Sequence, residues 1–261
     1  MSRWPKPDAP PLWTGEGIAF LWDYLTAHQA YSRPETLDEA SIGFLGHCLA
    51  RYGRSRAQRF QDCYVTWKLG EERPGYFVEF GATDGVALSN TWRLETELGW
   101  TGLLAEPFPA WHAALHANRR ARIDHRCVWR RSGETLEFLA VRTIPELASI
   151  KAYAGRDEHA AERLKSTETI AVQSVTLTDL LAEHGAPQVL DYLSVDVEGA
   201  ELDALEGLDF ERFQPRIVTV EHNFDEERRA GIESLLGSQG FVREFEPFSA
   251  FDDWYFHPER V

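Results

Sequence analysis

The feature that most restricts how this chain can fold is a short apolar run that ends on an acid and breaks at once into a glycine-bounded turn. Tyr76, Phe77, Val78, Glu79 and Phe80 lead directly into Gly81, Ala82, Thr83, Asp84 and Gly85. A strand that stops in this way fits an open α/β sheet, in which ligands bind outside the carboxyl ends of the strands. Gly81 and Gly85 let the backbone take left-handed conformations and approach a ligand closely, and Glu79 offers a carboxylate where the strand ends. Residues 86–98 read as a helix whose N-terminus would lie over that ligand. The spacing is not the G-x-G-x-x-G of dinucleotide sites, and no Gly-Lys-Ser/Thr follows to grip a phosphate. The plain alternative is a turn that only joins strand to helix.

A second strand, Thr101, Gly102, Leu103, Leu104 and Ala105, ends on Glu106 and Pro107. The interval from Glu79 to Glu106 is close to the roughly 20 residues that separate turn and ribose-binding acid in nucleotide-binding βαβ units. Two acids ending neighbouring strands suit an S-adenosylmethionine pocket. One would sit near the amino-acid end of the cofactor, and the other would accept hydrogen bonds from both ribose hydroxyls. Glu106 could instead cap a solvated loop.

A buried-looking run from Val189 to Val195 then delivers Asp196, with Glu198 and Glu201 close behind and Gly199 and Ala200 opening a helix. Asp196 and Glu198 are candidate catalytic residues, although acids at a helix start are also ordinary charge complementarity. The following strand, 216–220, runs into Glu221, His222 and Asn223. Asp196, His222 and Asn223 form a possible oxygen-and-nitrogen set for a divalent cation, with Glu221 or Glu198 available to complete it. His222 equally suits a general base that takes a hydroxyl proton, or a satisfied core histidine.

With these residues in view, the chain resembles the FkbM family of S-adenosylmethionine-dependent methyltransferases over residues 58–257. The resemblance rests on the 77–85 segment, on Ser89, Asn90 and Thr91, on the 98–107 segment, and most specifically on Asp196, Val197, Glu198, Gly199, Ala200 and Glu201. It implies a class I methyltransferase fold, Rossmann-like, with a mostly parallel seven-stranded sheet and helices on both faces. It also implies methyl transfer from S-adenosylmethionine to a hydroxyl of a sugar, glycan or glycosylated natural product. On that pattern Glu79, Gly81, Ala82, Asp84, Gly85, Asn90, Thr91, Glu106 and Asp196 would hold cofactor, and Asp124 and Cys127 would line the adenine. Some class I O-methyltransferases hold Mg²⁺ with an acid of the fourth strand and an Asp-Asn pair of the fifth. Here His222 takes the Asp position, which suits a transition metal better than Mg²⁺.

Two other chemistries fit the same residues. The acids at 196, 198 and 201 would also orient a cationic acceptor for N-methylation, and a cofactor-binding scaffold without turnover is a reading from another class. A nicotinamide dehydrogenase is disfavoured by the turn spacing.

A formal net charge of −15 disfavours nucleic acid as a partner. Arg51, Arg54, Arg56 and Arg59 form the one basic stretch, and Arg119 and Arg120 read as a solvated face. Cys48, Cys63 and Cys127 lack paired spacing and read as reduced thiols. With no apolar leader and no membrane-length run, a cytoplasmic location is expected. Residues 1–70 read as a proline-rich arm and helical extension, with apolar positions at Ile18, Leu21, Trp22, Leu25, Ile42, Leu45 and Leu49, and residues 71–261 as the methyltransferase domain. The extension would shape a substrate mouth or a contact between copies in a homo-oligomer. The polar segment 143–169 is a candidate lid. Strands are expected near 76–80, 101–105, 123–128, 136–140, 190–195, 216–221, 241–246 and 252–257. Trp254 sits among C-terminal aromatics expected to pack a last antiparallel strand or to flank a sugar ring.

Overall fold

The computed structural model describes residues 38–141, 149–150 and 167–261. The chain divides into two compact units, Met1–Ser55 and Arg56–Val261. In the first, helix α1 (Glu39–Arg51) starts where the Asp38 side chain accepts from the Ser41 N–H at 2.6 Å. Phe44 and Cys48 are its buried residues, whereas Ile42, Leu45 and Leu49 are exposed. Both sides of this helix carry apolar residues, so spacing alone picked the wrong one. The expected positions at 18–25 lie outside the described residues.

The second unit begins before helix α2 (Gln61–Leu69), which ends at Gly70 in a positive-φ conformation. Its larger sheet has seven strands: β1 (Tyr76–Phe80), β2 (Thr101–Ala105), β3 (Arg122–Asp124), β8 (Val189–Val195), β9 (Gln214–Glu221), β10 (Val242–Glu244) and β11 (Asp252–Phe256). Their order is β10-β11-β9-β8-β1-β2-β3, all parallel except that β11 runs antiparallel to both neighbours. From β1 the chain builds outward through β2 and β3, then returns to the other side of β1 with β8 and β9. The reversal falls between β1 and β8, and in open α/β sheets the ligand crevice lies at such a point.

Strands buried on both faces must be apolar nearly throughout, and Phe77, Val78, Phe80, Leu103, Leu104, Leu190, Leu193 and Val195 are each at most 1% exposed. Gly102 is required by β1, because a Cβ there would stand 2.4 Å from the Phe77 ring. Helices α5 (Leu177–Glu183), α6 (Glu201–Glu206) and α7 (Glu226–Ser238) add Leu177, Leu180, Leu181, Ala204, Leu205, Ile232 and Leu236 to the same core.

A smaller sheet has the order β4-β7-β5-β6, from β4 (Cys127–Val128), β5 (Thr135–Val141), β6 (Ser149–Ile150) and β7 (Thr167–Val175). Its core joins Phe138, Ile150 and Val172 to Phe108 and Ala200, which follow the ends of β2 and β8. The small sheet therefore braces the turns that bear Glu106 and Glu198.

Two expected strands and the candidate lid differ in the sheets. The single strand at 123–128 is two strands in different sheets, because the Asp124 carboxylate accepts from the Arg126 N–H and turns the chain. The strand at 241–246 stops at Glu244, where Phe245 turns left-handed and Pro247 opens helix α8 (Glu246–Ser249). Residues 167–169, the end of the candidate lid, belong to β7, and of the remainder only 149–150 lies within the described residues. No helix of the described residues is long and apolar enough to cross a membrane.

Candidate functional site

Strand register brings the site together. Phe80 pairs with Ala105 on one side and Val195 on the other, and Val195 pairs with Val220. The next residues of the four strands, Gly81, Glu106, Asp196 and Glu221, therefore stand level along one edge. Antiparallel β11 adds Asp252, which pairs with Glu221.

Gly81 has φ +71°, and a Cβ there would lie 1.9 Å from the Asp196 carbonyl oxygen. Only glycine permits this approach of the first turn to the fourth-strand turn. Beyond it, residues 86–91 form turns, and helix α3 is confined to Trp92–Thr96. The long helix expected at 86–98 is lost because polar side chains capture its backbone N–H groups. Asp84 Oδ1 accepts from the N–H groups of Val86 and Ala87, both at 2.8 Å. Buried Glu79 accepts from the Asn90 N–H at 2.7 Å, Thr91 Oγ1 at 2.6 Å and Ser89 Oγ at 3.0 Å. Glu79 and Asp84 thus shape the turn with the oxygens that were expected to face cofactor. Asn90 donates to Ser194 Oγ at 3.0 Å, and its own Oδ1 is a buried acceptor with no hydrogen-bond partner.

Arg119, expected on a solvated face, is 5% exposed and completes this network. Its guanidinium donates to the Gly85 carbonyl at 3.1 Å, Ser89 Oγ at 3.1 Å and Thr91 Oγ1 at 2.8 Å, and pairs with Glu95 at 2.6 Å and Glu79 at 3.5 Å. An Arg-Arg pair after a helix carries no sequence signal that one member turns inward.

Glu106 accepts from the Thr83 N–H at 2.9 Å through Oε2 and from the Phe108 N–H at 2.7 Å through Oε1. Each oxygen keeps a lone pair for a further donor. Burial pushes this carboxyl up to about 7, against those two hydrogen bonds, and the nearby Asp196 charge adds to the rise. Asp124, in contrast, is fully engaged. Despite the opposing effect of burial, hydrogen bonds from Arg126 and His184 hold its carboxyl down at about 2. Cys127 is a core thiol that burial pushes up to about 12.

At the other end of the edge, Asp196, Glu198 and Glu221 each bring a carboxylate oxygen within 4.8 Å of the others. Burial and then the Asp196 charge push the Glu221 carboxyl well up, and burial likewise raises Asp196 despite a hydrogen bond with Glu221. Burial, reinforced by the Asp196 charge, also brings Asp252 to about 7. Glu201 turns away, receiving the Gly199 N–H at 2.8 Å and pairing with Arg228 at 3.1 Å. His222 lies outside the acid group because adjacent strand residues alternate faces. Its Nδ1 accepts from the Phe224 N–H at 3.1 Å, and its Nε2 lies 3.8 Å from Asp253 Oδ1. Asn223 donates to Glu221 Oε2 at 2.8 Å. The structure therefore joins Glu221 to Asp196 where His222 was expected.

The turns around this edge hold non-glycine residues in left-handed conformations: Thr83, Leu88, Glu198, Asn223 and Phe224. Such strain persists where surrounding structure enforces it and gathers at functional sites.

The family model of the methyltransferase FkbM domain matches residues 79–254. The chain belongs to the FkbM methyltransferase family. Among curated proteins, the methyltransferase sdnD of Sordaria araneosa is 39% identical to this FkbM chain over 92 residues, covering 32% of the chain and 36% of sdnD. The chain thus spans about a third of that relative's length. A crystal structure of methyltransferase FkbM from Methylobacillus flagellatus KT superposes with a TM-score of 0.44 at 13% identity, covering 94% of this chain and 71% of that one. The S-adenosylhomocysteine-bound methyltransferase PaMTH1 of Podospora anserina superposes with a TM-score of 0.41 at 8% identity, over 98% and 99% of the two chains.

Proposed function

We propose that this FkbM chain is an S-adenosylmethionine-dependent O-methyltransferase acting on a hydroxyl of a sugar, glycan or glycosylated natural product. The observation that supports it most is the edge itself, with the two-lone-pair carboxylate of Glu106 on one side of Gly81 and the acid group of Asp196, Glu198 and Glu221 on the other. The cofactor fits these residues: Gly81 admits close approach, Asn90 Oδ1 is an unpaired buried acceptor, and Glu106 can accept both ribose hydroxyls. When bound, S-adenosylmethionine supplies an electrophilic methyl group on a sulfonium.

The chain's own residues then have two tasks. Glu106 and the 81–85 turn fix the cofactor in place, so that orientation rather than covalent chemistry lowers the barrier. The acid group orients the acceptor hydroxyl and takes its proton. We place the proton acceptor on the Asp196–Glu221 pair, whose carboxyls burial raises above their ordinary range and so makes stronger bases. His222 is less suited, because its Nδ1 lone pair is already occupied and its Nε2 faces Asp253. The same three carboxylates would suit a hard divalent cation such as Mg²⁺ through oxygen ligands. A concentration of acid also suits a cationic amine, which makes N-methylation the second reading.

Calorimetric titration with S-adenosylmethionine tests the pocket. Glu106→Ala is expected to weaken binding by about 2–3 kcal/mol, roughly 30- to 150-fold, the scale of losing hydrogen bonds to a buried charged acceptor. Ribose hydroxyls donate to the ionised carboxylate, so wild-type affinity rises as pH climbs toward about 7 and levels off above it. The variant should lack this dependence, and an undiminished affinity in Glu106→Ala would remove the assignment. Turnover assays against glycoside and amine acceptors, with and without Mg²⁺, test the acid group. Glu221→Gln should lower kcat about 10²-fold while leaving cofactor affinity unchanged. Wild-type rates in that variant would relocate the base.

A further inference from the structure

Outside the acidic edge, three of the chain's nine histidines pack ring to ring. Helix α4 (Pro109–Asn118) carries His112 and His116 one turn apart, hence on the same face, and the turn after β3 carries His125. The His112 and His125 rings stack with centroids 3.6 Å apart and planes 8° apart. His116 meets His125 edge-on, with Nε2 3.1 Å from Nε2. His112 Nε2 is anchored 2.9 Å from the Glu106 carbonyl oxygen. His116 and His125 are both exposed, so their shared nitrogens face solvent.

We propose that His116 and His125 form a two-imidazole clamp for a borderline transition-metal ion such as Zn²⁺ or Ni²⁺, held through the two Nε2 atoms and completed by water. The spacing suits the chemistry. With metal–nitrogen bonds of about 2.0–2.1 Å, nitrogens at this separation subtend about 100° at the ion, between square and tetrahedral angles. Imidazole prefers these ions, whereas Mg²⁺ prefers the all-oxygen acid group on the sheet edge. In the metal-free pair one Nε2–H donates to the other nitrogen. On binding, that ring moves its proton from Nε2 to Nδ1, so both Nε2 lone pairs face the ion without net proton loss. His112 acts as the orienting partner: stacked on His125 and tied to the Glu106 carbonyl, it fixes the plane of a ligand it does not share. The clamp does not depend on the methyl-transfer reading.

The test is titration of tag-free, EDTA-stripped protein with Zn²⁺, Ni²⁺ and Mg²⁺ near neutral pH. One equivalent of Zn²⁺ or Ni²⁺ is expected at micromolar affinity, weakened at least tenfold in both His116→Gln and His125→Gln and unchanged in Glu198→Gln. Both histidines are exposed, and unchanged thermal melts will show that the variants fold. Histidine ring signals of 116 and 125 should shift together on metal addition in magnetic resonance spectra. Absence of binding, binding that survives both histidine substitutions, or binding lost in Glu198→Gln would each overturn the clamp.

Discussion

Gly81→Ala should fail to give a folded, cofactor-competent protein. Two separate penalties meet at this position. The backbone has φ +71°, which costs an L-residue about 1–2 kcal/mol. The added Cβ would also lie 1.9 Å from the Asp196 carbonyl oxygen, a backbone atom that can give way only if the ends of β1 and β8 separate. That separation opens the apolar contacts of the two central strands and moves Asp196 away from the first turn. Gly133→Ala is the matched control. Its φ is +80°, yet nothing lies within 4 Å of the point where its methyl would stand, so only the conformational penalty applies. Thermal melts of the two variants separate the terms: a modest fall for Gly133→Ala beside loss of a cooperative transition for Gly81→Ala. Equal melts would show that the close approach of the two turns is not needed.

Arg119→Met should be the most damaging substitution away from the sheet edge. It removes every donor that the guanidinium gives to Gly85, Ser89 and Thr91, and leaves buried Glu79 without its cation. Breaking a buried pair by removing one partner costs about 3–5 kcal/mol. Glu79 keeps three donors from Ser89, Asn90 and Thr91, which places the expected loss at the lower end, about 3 kcal/mol. For a domain of this size that corresponds to a melting temperature about 6–12 °C lower. Arg119→Lys should recover only part of it, because one ammonium cannot reproduce the planar fork. In a Glu79→Gln background the penalty of Arg119→Met should shrink, since the stranded charge is gone. An undiminished penalty would mean that Arg119 acts through packing alone.

Strands β1, β2 and β8 were legible because each is an apolar run closed by glycine or acid, at Phe80-Gly81, Ala105-Glu106 and Val195-Asp196. What escaped the sequence depended on partners far along the chain. Ser89, Asn90 and Thr91 looked helical until Glu79, ten to twelve residues earlier, took their donors. Strand β7 opens with Thr167, Glu168 and Thr169, which read as surface until they pair with β5. The exchange of Glu221 for His222 beside Asp196 is a matter of register: with a side-chain period of two, one residue decides which faces the site. The place of Glu106 on the sheet edge was readable because it follows from where β2 ends, whereas the engagement of Asp124 by Arg126 and His184 depends on partners the sequence does not pair with it.

The left-handed residues around the edge also bear on how this protein can be improved. Thr83, Leu88, Glu198, Asn223 and Phe224 hold conformations in which glycine would be more comfortable. A screen that rewards heat resistance alone will therefore favour relaxing these turns, and with them the fixed spacing between Glu106 and the acid group. Thermostable variants meant to keep activity should instead be sought in the small sheet and on the exposed sides of α5 and α7, where firmer packing leaves the strand ends under tension.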